Sequence, residues 1–120
     1  MEKYIGIPYS FRDYNCWHHV KAVRSDFGIK TKMFQPRTMR DAFKLITAQM
    51  SIIDNGLSLV DEPQNFDIVI VEKLHGKRMI YHCGVYYDGY VNHCDNVFGS
   101  VRHQPFNEFK HGYTGVSFWR

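Results

Sequence analysis

The chain has no apolar run approaching the roughly 20 residues that span a bilayer, so no membrane span is expected. Its opening stretch, MEKYIGIPYS, lacks the apolar core of a secretory signal. Synthesis in the cytoplasm without a signal peptide is therefore the expectation. There is no Gly/Ser linker, internal repeat or low-complexity tract, and 120 residues suffice for one core but not two. A single domain, 1–120, follows. Cysteine is scarce: Cys16, Cys83 and Cys94 leave one thiol unpaired under any intramolecular scheme and form no CxxC knuckle. Reduced thiols are expected, with Cys83 and Cys94 read as small core residues and a disulfide between them as the minor alternative. A strong charge bias is also missing. The 15 Lys and Arg against 12 Asp and Glu give +3, scattered along the chain. That reads as a solubility feature rather than a nucleic-acid footprint.

What is present is apolar and aromatic, at 44% and 16% of residues, which excludes intrinsic disorder. Cys16, Val20, Val23 and Phe27 follow helical spacing and form one apolar stripe, with Lys21, Arg24 and Asp26 off that face. Asn15 or Asp13 can cap the start and Gly28 the end. Cys16 then lies in the first helical turn. Met39, Phe43, Ile46 and Met50 repeat the spacing after Pro36, with Thr38 to Asp41 reading as a capping box. From Phe66 onward, FDIVIVEKL and RMIYHCGVYYDGYVNHCDNVFGSV are rich in β-branched and aromatic residues, with turn signals at His75-Gly76 and Asp88-Gly89. Helices first and antiparallel strands second make an α+β fold.

The Asp88-Gly89 turn fixes a register. A two-residue type I′ turn pairs Tyr87 with Tyr90, and counting back pairs Gly84 with His93. His82 shares a face with Gly84, so His82 and His93 become diagonal neighbours with backbones roughly 7 Å apart. The small residue opposite His93 leaves the imidazoles room to meet. Cys83 and Cys94 fall on the other face.

A thiol at a helix N-terminus is acidified by unpaired N–H groups and the helix dipole, and those N–H groups can also hold an oxyanion. It needs an imidazole to take its proton, and that imidazole needs a third polar group. Cys16, His82 and His93 are the right residue types in such settings, although packing alone accounts for a cysteine on an apolar stripe.

The segment GIPYSFRDYNCWHHVKAVRSDFGI resembles the nucleophile segment of NlpC-type papain-like cysteine peptidases, in which a G-x-P-Y stretch leads to an Asp-Cys pair opening a helix. FDIVIVEKLHGKRMIYHCGVYYDGYVNHC resembles that family's G-D-[IV]-V strand, its H-[VC]-G-[IV]-Y strand and its closing hairpin ending in histidine. The two blocks span roughly residues 4 to 94, with 30–63 matched only loosely. The resemblance implies a papain-like fold with N-terminal helices packed on a central antiparallel sheet. Cys16 matches the nucleophile, His82 the base, His93 the group orienting it, and Tyr9 a tyrosine whose hydroxyl helps the oxyanion site. Asn15 stands where the family usually has Asp, and Phe66 where Gly commonly precedes the strand Asp, here Asp67. The Cys16-Trp17 pair looks more like the bacteriophage tail branch than the secreted bacterial branch.

The resemblance implies a peptidoglycan peptide hydrolase needing no cofactor or metal, carried in a phage virion alongside other tail-tip or baseplate proteins. Three rivals remain: a catalytically silent tail-tip component, an amidase or acyltransferase on the same fold, and a zinc site built from Cys16, His82, His93 and Cys94. The register weakens the last by pointing Cys94 away from the His82 face. His18, His19, His75, His103 and His111 read as solvated surface side chains. Tyr81, Tyr86, Tyr87 and Tyr90 read as cover for the sheet, and the terminal FWR as cover for the core or a partner contact.

Overall fold

The computed structural model describes residues 1–32 and 44–120. Among them, a 3₁₀ turn at Glu2–Tyr4 precedes α1 (Cys16–Asp26), α2 (Leu45–Asp54), β1 (Leu59–Val60), β2 (Ile68–His75), β3 (Arg78–Tyr87), β4 (Tyr90–Asp95), β5 (Ser100–Pro105), the short α3 (Phe106–Lys110) and β6 (Gly115–Trp119). The strands form one six-stranded sheet in the order β1-β6-β2-β3-β4-β5, with every pairing antiparallel. This is the α+β architecture expected. The terminal FWR belongs to or follows β6, an interior strand, and Arg120 closes a bidentate pair on Asp67 at 2.9 Å.

Period-two alternation sorts the sheet into two faces. Ile68, Ile70, Cys83, Val85, Cys94 and Val101 pack with Cys16, Val20 and Val23 of α1. Val69, Val71 and Val91 pack with Phe109 of α3 on the opposite side. His82 and His93 lie on this second side, where both rings contact Phe109. Among the described residues no helix is long and apolar enough to cross a membrane.

The hairpin has the expected register, Tyr87↔Tyr90, Tyr86↔Val91 and Val85↔Asn92. Asp88 and Gly89 both have positive φ, 50° and 82°, as a type I′ turn requires. A Cβ at Gly84 would lie 2.7 Å from Val91 Cγ1 and 2.9 Å from His93 Cβ. Glycine is thus what lets β4 approach close enough for the two imidazoles to meet. Gly84→Ala is expected to destabilise the protein by about 1–3 kcal/mol through overpacking. An unchanged urea midpoint would contradict that close approach.

Three helical details differ from the sequence reading. Arg24, expected off the buried face, is buried: its Nε donates to Thr31 Oγ1 at 2.9 Å and its Nη1 to the Phe66 carbonyl at 2.5 Å. A guanidinium enters the interior when such partners satisfy it. Phe27, expected in the stripe, is 45% exposed and stacks on Phe66 with ring centroids 4.3 Å apart. In α2 the buried residues are Thr47, Ala48 and Ser51, while Ile46 is 50% exposed. Small residues there permit close approach to the sheet, and the apolar spacing marked helicity without marking the buried side. Met39, Phe43 and the Thr38 to Asp41 capping box lie outside the described residues.

Candidate active site

Asn15 decides where α1 begins. Its side-chain oxygen accepts from the Trp17 and His18 amides at 2.9 and 3.1 Å. His18 Nδ1 accepts in return from the Asn15 amide at 3.1 Å, closing a capping box. The Asn15 side-chain Nδ2 also donates to the Phe11 carbonyl at 3.0 Å, which an aspartate could not do. Cys16 is consequently the first residue of the helix, where the dipole favours a thiolate.

The Cys16 thiol is held well below its ordinary range, first by hydrogen bonding with the Cys83 side chain and then, against the opposing effect of burial, by hydrogen bonding and charge from His82. Cys83 is pushed well above its ordinary range, first by burial and then by Cys16. All three cysteines are free and buried, as the packing reading expected. Cys94 is tied to the Tyr14 carbonyl at 3.4 Å, and its pKa is pushed up to about 12, chiefly by burial.

Across the sheet, His82 Nε2 lies 2.9 Å from His93 Nδ1, and His93 Nε2 lies 2.7 Å from Gln104 Oε1. Burial and the neighbouring His82 drive the His93 pKa down to about 3, so its ring is neutral. With Nε2 engaged by His93, the other ring nitrogen of His82 is the one left for the thiol. His82 also lines a groove of about 300 Å³ with Tyr81, Tyr113, Lys73, Asp95 and Val97. A more open depression of about 650 Å³, between Met1, Tyr87, Tyr90 and His103, contains neither the thiols nor the histidine pair.

The Tyr9 hydroxyl is buried and, among the described residues, is the buried side-chain polar atom without a hydrogen-bond partner. Its pKa is pushed up to about 12 by burial, then by Cys16 and Cys94. The backbone fixes it, since the Tyr9 amide donates to the Gly99 carbonyl at 2.9 Å. An unspent donor near an acidified thiol is costly to the fold and useful to a developing oxyanion. The structure thus joins His82 to His93 by a hydrogen bond, and links Cys16 to His82 and Tyr9 to Cys16 through the electrostatics of their side chains.

Three of the histidine readings need correction. His19, expected on the surface, is fully buried: Nε2 donates to Asn92 Oδ1 at 2.5 Å and Nδ1 accepts from the Tyr14 hydroxyl at 2.8 Å. His103 is half-buried, stacked on Tyr90 at 4.6 Å and bonded to Asn92 Nδ2 at 3.1 Å. His18 is also half-buried in its capping role, whereas His75 and His111 are exposed as expected. The position of His19 three residues after Cys16 hinted at an inward face; its partner Asn92 carried no signal. Among the described residues, no three His, Cys, Asp or Glu side chains are arranged to hold a metal ion.

Comparison of the chain with family models, curated proteins and solved structures found no match.

Proposed function

We propose that this protein is a cysteine peptidase of the NlpC type, with a papain-like arrangement of a helix N-terminus against an antiparallel sheet, acting on the peptides of bacterial peptidoglycan. The observation that carries the reading is the hydrogen bond of 2.9 Å between His82 Nε2 and His93 Nδ1, with His82 among the groups that acidify Cys16. Phe66, a departure from the family's glycine, adopts φ 74°, the left-handed conformation a glycine favours. The Cys16-Trp17 pair supports placing the protein in a phage tail, among tail-tip or baseplate partners.

In this scheme the Cys16 sulfur attacks the carbonyl carbon, and the oxyanion receives the Tyr9 hydroxyl and the amides of the first helical turn. His82 holds the proton and delivers it to the leaving amine as the C–N bond breaks, leaving an acyl-enzyme. Water, deprotonated by His82, then releases the acid and regenerates the thiol. An amidase or acyltransferase would share the first half of this sequence. A second reading, a tail component without turnover, draws on the burial of Cys16, which is only 1% exposed.

Mass spectrometry of defined muropeptides incubated with the wild type and with Cys16→Ala tests the proposal. New fragments from the wild type alone are expected, their masses identifying the bond cut. No fragments from either folded protein would favour the silent tail component.

A further inference from the structure

The hydrogen-bonded chain does not stop at His93. Gln104 Nε2 donates to Glu108 Oε1 at 2.9 Å, and Gln104 Oε1 faces His93 Nε2 at 2.7 Å. We infer that Glu108, acting through the Gln104 amide, is a positioning residue that selects the ring tautomers of His93 and His82. The inference rests on reading His82 as the base of a cysteine hydrolase.

Each link follows from what the atoms can do. A carboxylate only accepts, so Glu108 draws the NH₂ end of Gln104 toward itself and turns the amide oxygen toward His93. That oxygen also only accepts, so His93 Nε2 must carry the proton. Because the His93 ring is neutral, its Nδ1 then presents a lone pair. His82 Nε2 must be the donor across the 2.9 Å contact. A neutral His82 protonated at Nε2 has its lone pair on Nδ1, the nitrogen left for the thiol. When the Cys16 proton moves to that nitrogen, the imidazolium finds its other N–H already accepted by His93, and no proton leaves the pair.

A flipped amide reverses every link. The NH₂ group would face His93 Nε2, the proton would move to His93 Nδ1, and His82 would accept at Nε2 while carrying its hydrogen toward the thiol. Such a ring cannot act as the base. Gln104 and Glu108 belong to β5 and α3, four residues apart, so the start of α3 sets the orientation. The other charged groups around His93 are Asp95 on β4 and Arg102 on β5, which pair at 3.8 Å, and Lys73 on β2; Tyr113 lines the same recess. Lys73 stands over the Tyr113 ring, 5.4 Å from its centroid. None of the three hydrogen-bonds to Gln104, so the orienting contact belongs to Glu108 among the described residues.

The test reads tautomers directly from long-range proton–nitrogen spectra of the imidazoles at pH 7.5, in the wild type, Glu108→Ala, Glu108→Gln and Gln104→Met. Protonation at Nε2 in both His82 and His93 is expected in the wild type. Glu108→Gln keeps an oxygen acceptor and is expected to retain this pattern. Glu108→Ala and Gln104→Met are expected to populate the Nδ1-protonated forms and to slow alkylation of Cys16 by iodoacetamide about tenfold, the low end for loss of an outer orienting partner. A wild-type His93 protonated at Nδ1, or tautomers unmoved in both Glu108→Ala and Gln104→Met, would overturn the inference. The spectra need no substrate, so they stand apart from the muropeptide assay. Wild-type tautomers as expected, with no cleavage, would remove the peptidase and leave the relay.

Discussion

His82→Ala is expected to lower the rate of muropeptide cleavage by about a thousandfold or more, with substrate affinity nearly unchanged. The imidazole has two tasks in the scheme, holding the thiol proton and returning it to the leaving amine, and no other described group is placed for either. The same variant separates the sources of thiol acidity. Hydrogen bonding with Cys83 is the largest lowering effect on Cys16, and the helix start is untouched by the substitution. The pH midpoint for Cys16 alkylation should therefore rise in His82→Ala without returning to that of a free cysteine. Cleavage that survives His82→Ala at more than a third of the wild-type rate would remove His82 as the base.

The second large effect is on stability in mild acid. Burial depresses the pKa of His19 to about 4 and that of His93 to about 3, whereas the unfolded chain titrates both near 6.5. Below that value the unfolded state takes up protons that the folded state refuses. The contribution of each ring is complete above about pH 6.5 and is lost as the pH falls toward the folded values. Between pH 7.5 and 5 the loss is about 2 kcal/mol per ring, about 4 in all. Against a total of about 5–15 kcal/mol for a small domain this is a large share. Most carboxylates remain ionised at pH 5, so the histidines dominate the window. Urea unfolding at the two pH values measures it, and His19→Gln should remove about half of the difference. Equal midpoints at pH 7.5 and 5 would show that neither ring resists protonation.

The parts of this site that could be read in the sequence are those set by short-range rules. Asp88-Gly89 dictates a turn, the turn dictates a register, and the register places His82 and His93 together with Gly84 between their strands. The capping candidates Asn15 and Asp13 marked the helix start in the same local way, and Asn15 is the one that caps it, which sets the place of Cys16. Contacts made by docking one element on another carried no such signal. Arg24 reads as a solvated charge until the Phe66 carbonyl and Thr31 surround it. His19 reads as surface until β4 supplies Asn92. Gln104 and Glu108 form no motif, and their roles emerge only once α3 stands beside β4 and β5.

The tight β3–β4 hairpin also separates the histories of the two halves of the site. Bringing His82 to His93 closes a loop whose ends are 11 residues apart, at little cost in chain entropy. Bringing Cys16 to the same place requires α1 to seat on a sheet whose strands begin far along the chain, a closure of much higher contact order. The histidine pair can thus assemble early, as a local unit, while Cys16, the nucleophile of the proposed scheme, arrives with tertiary docking. A chain that has formed its hairpin but not seated its helix holds the two imidazoles without the thiol, so the proposed chemistry would be a property of the completed fold alone.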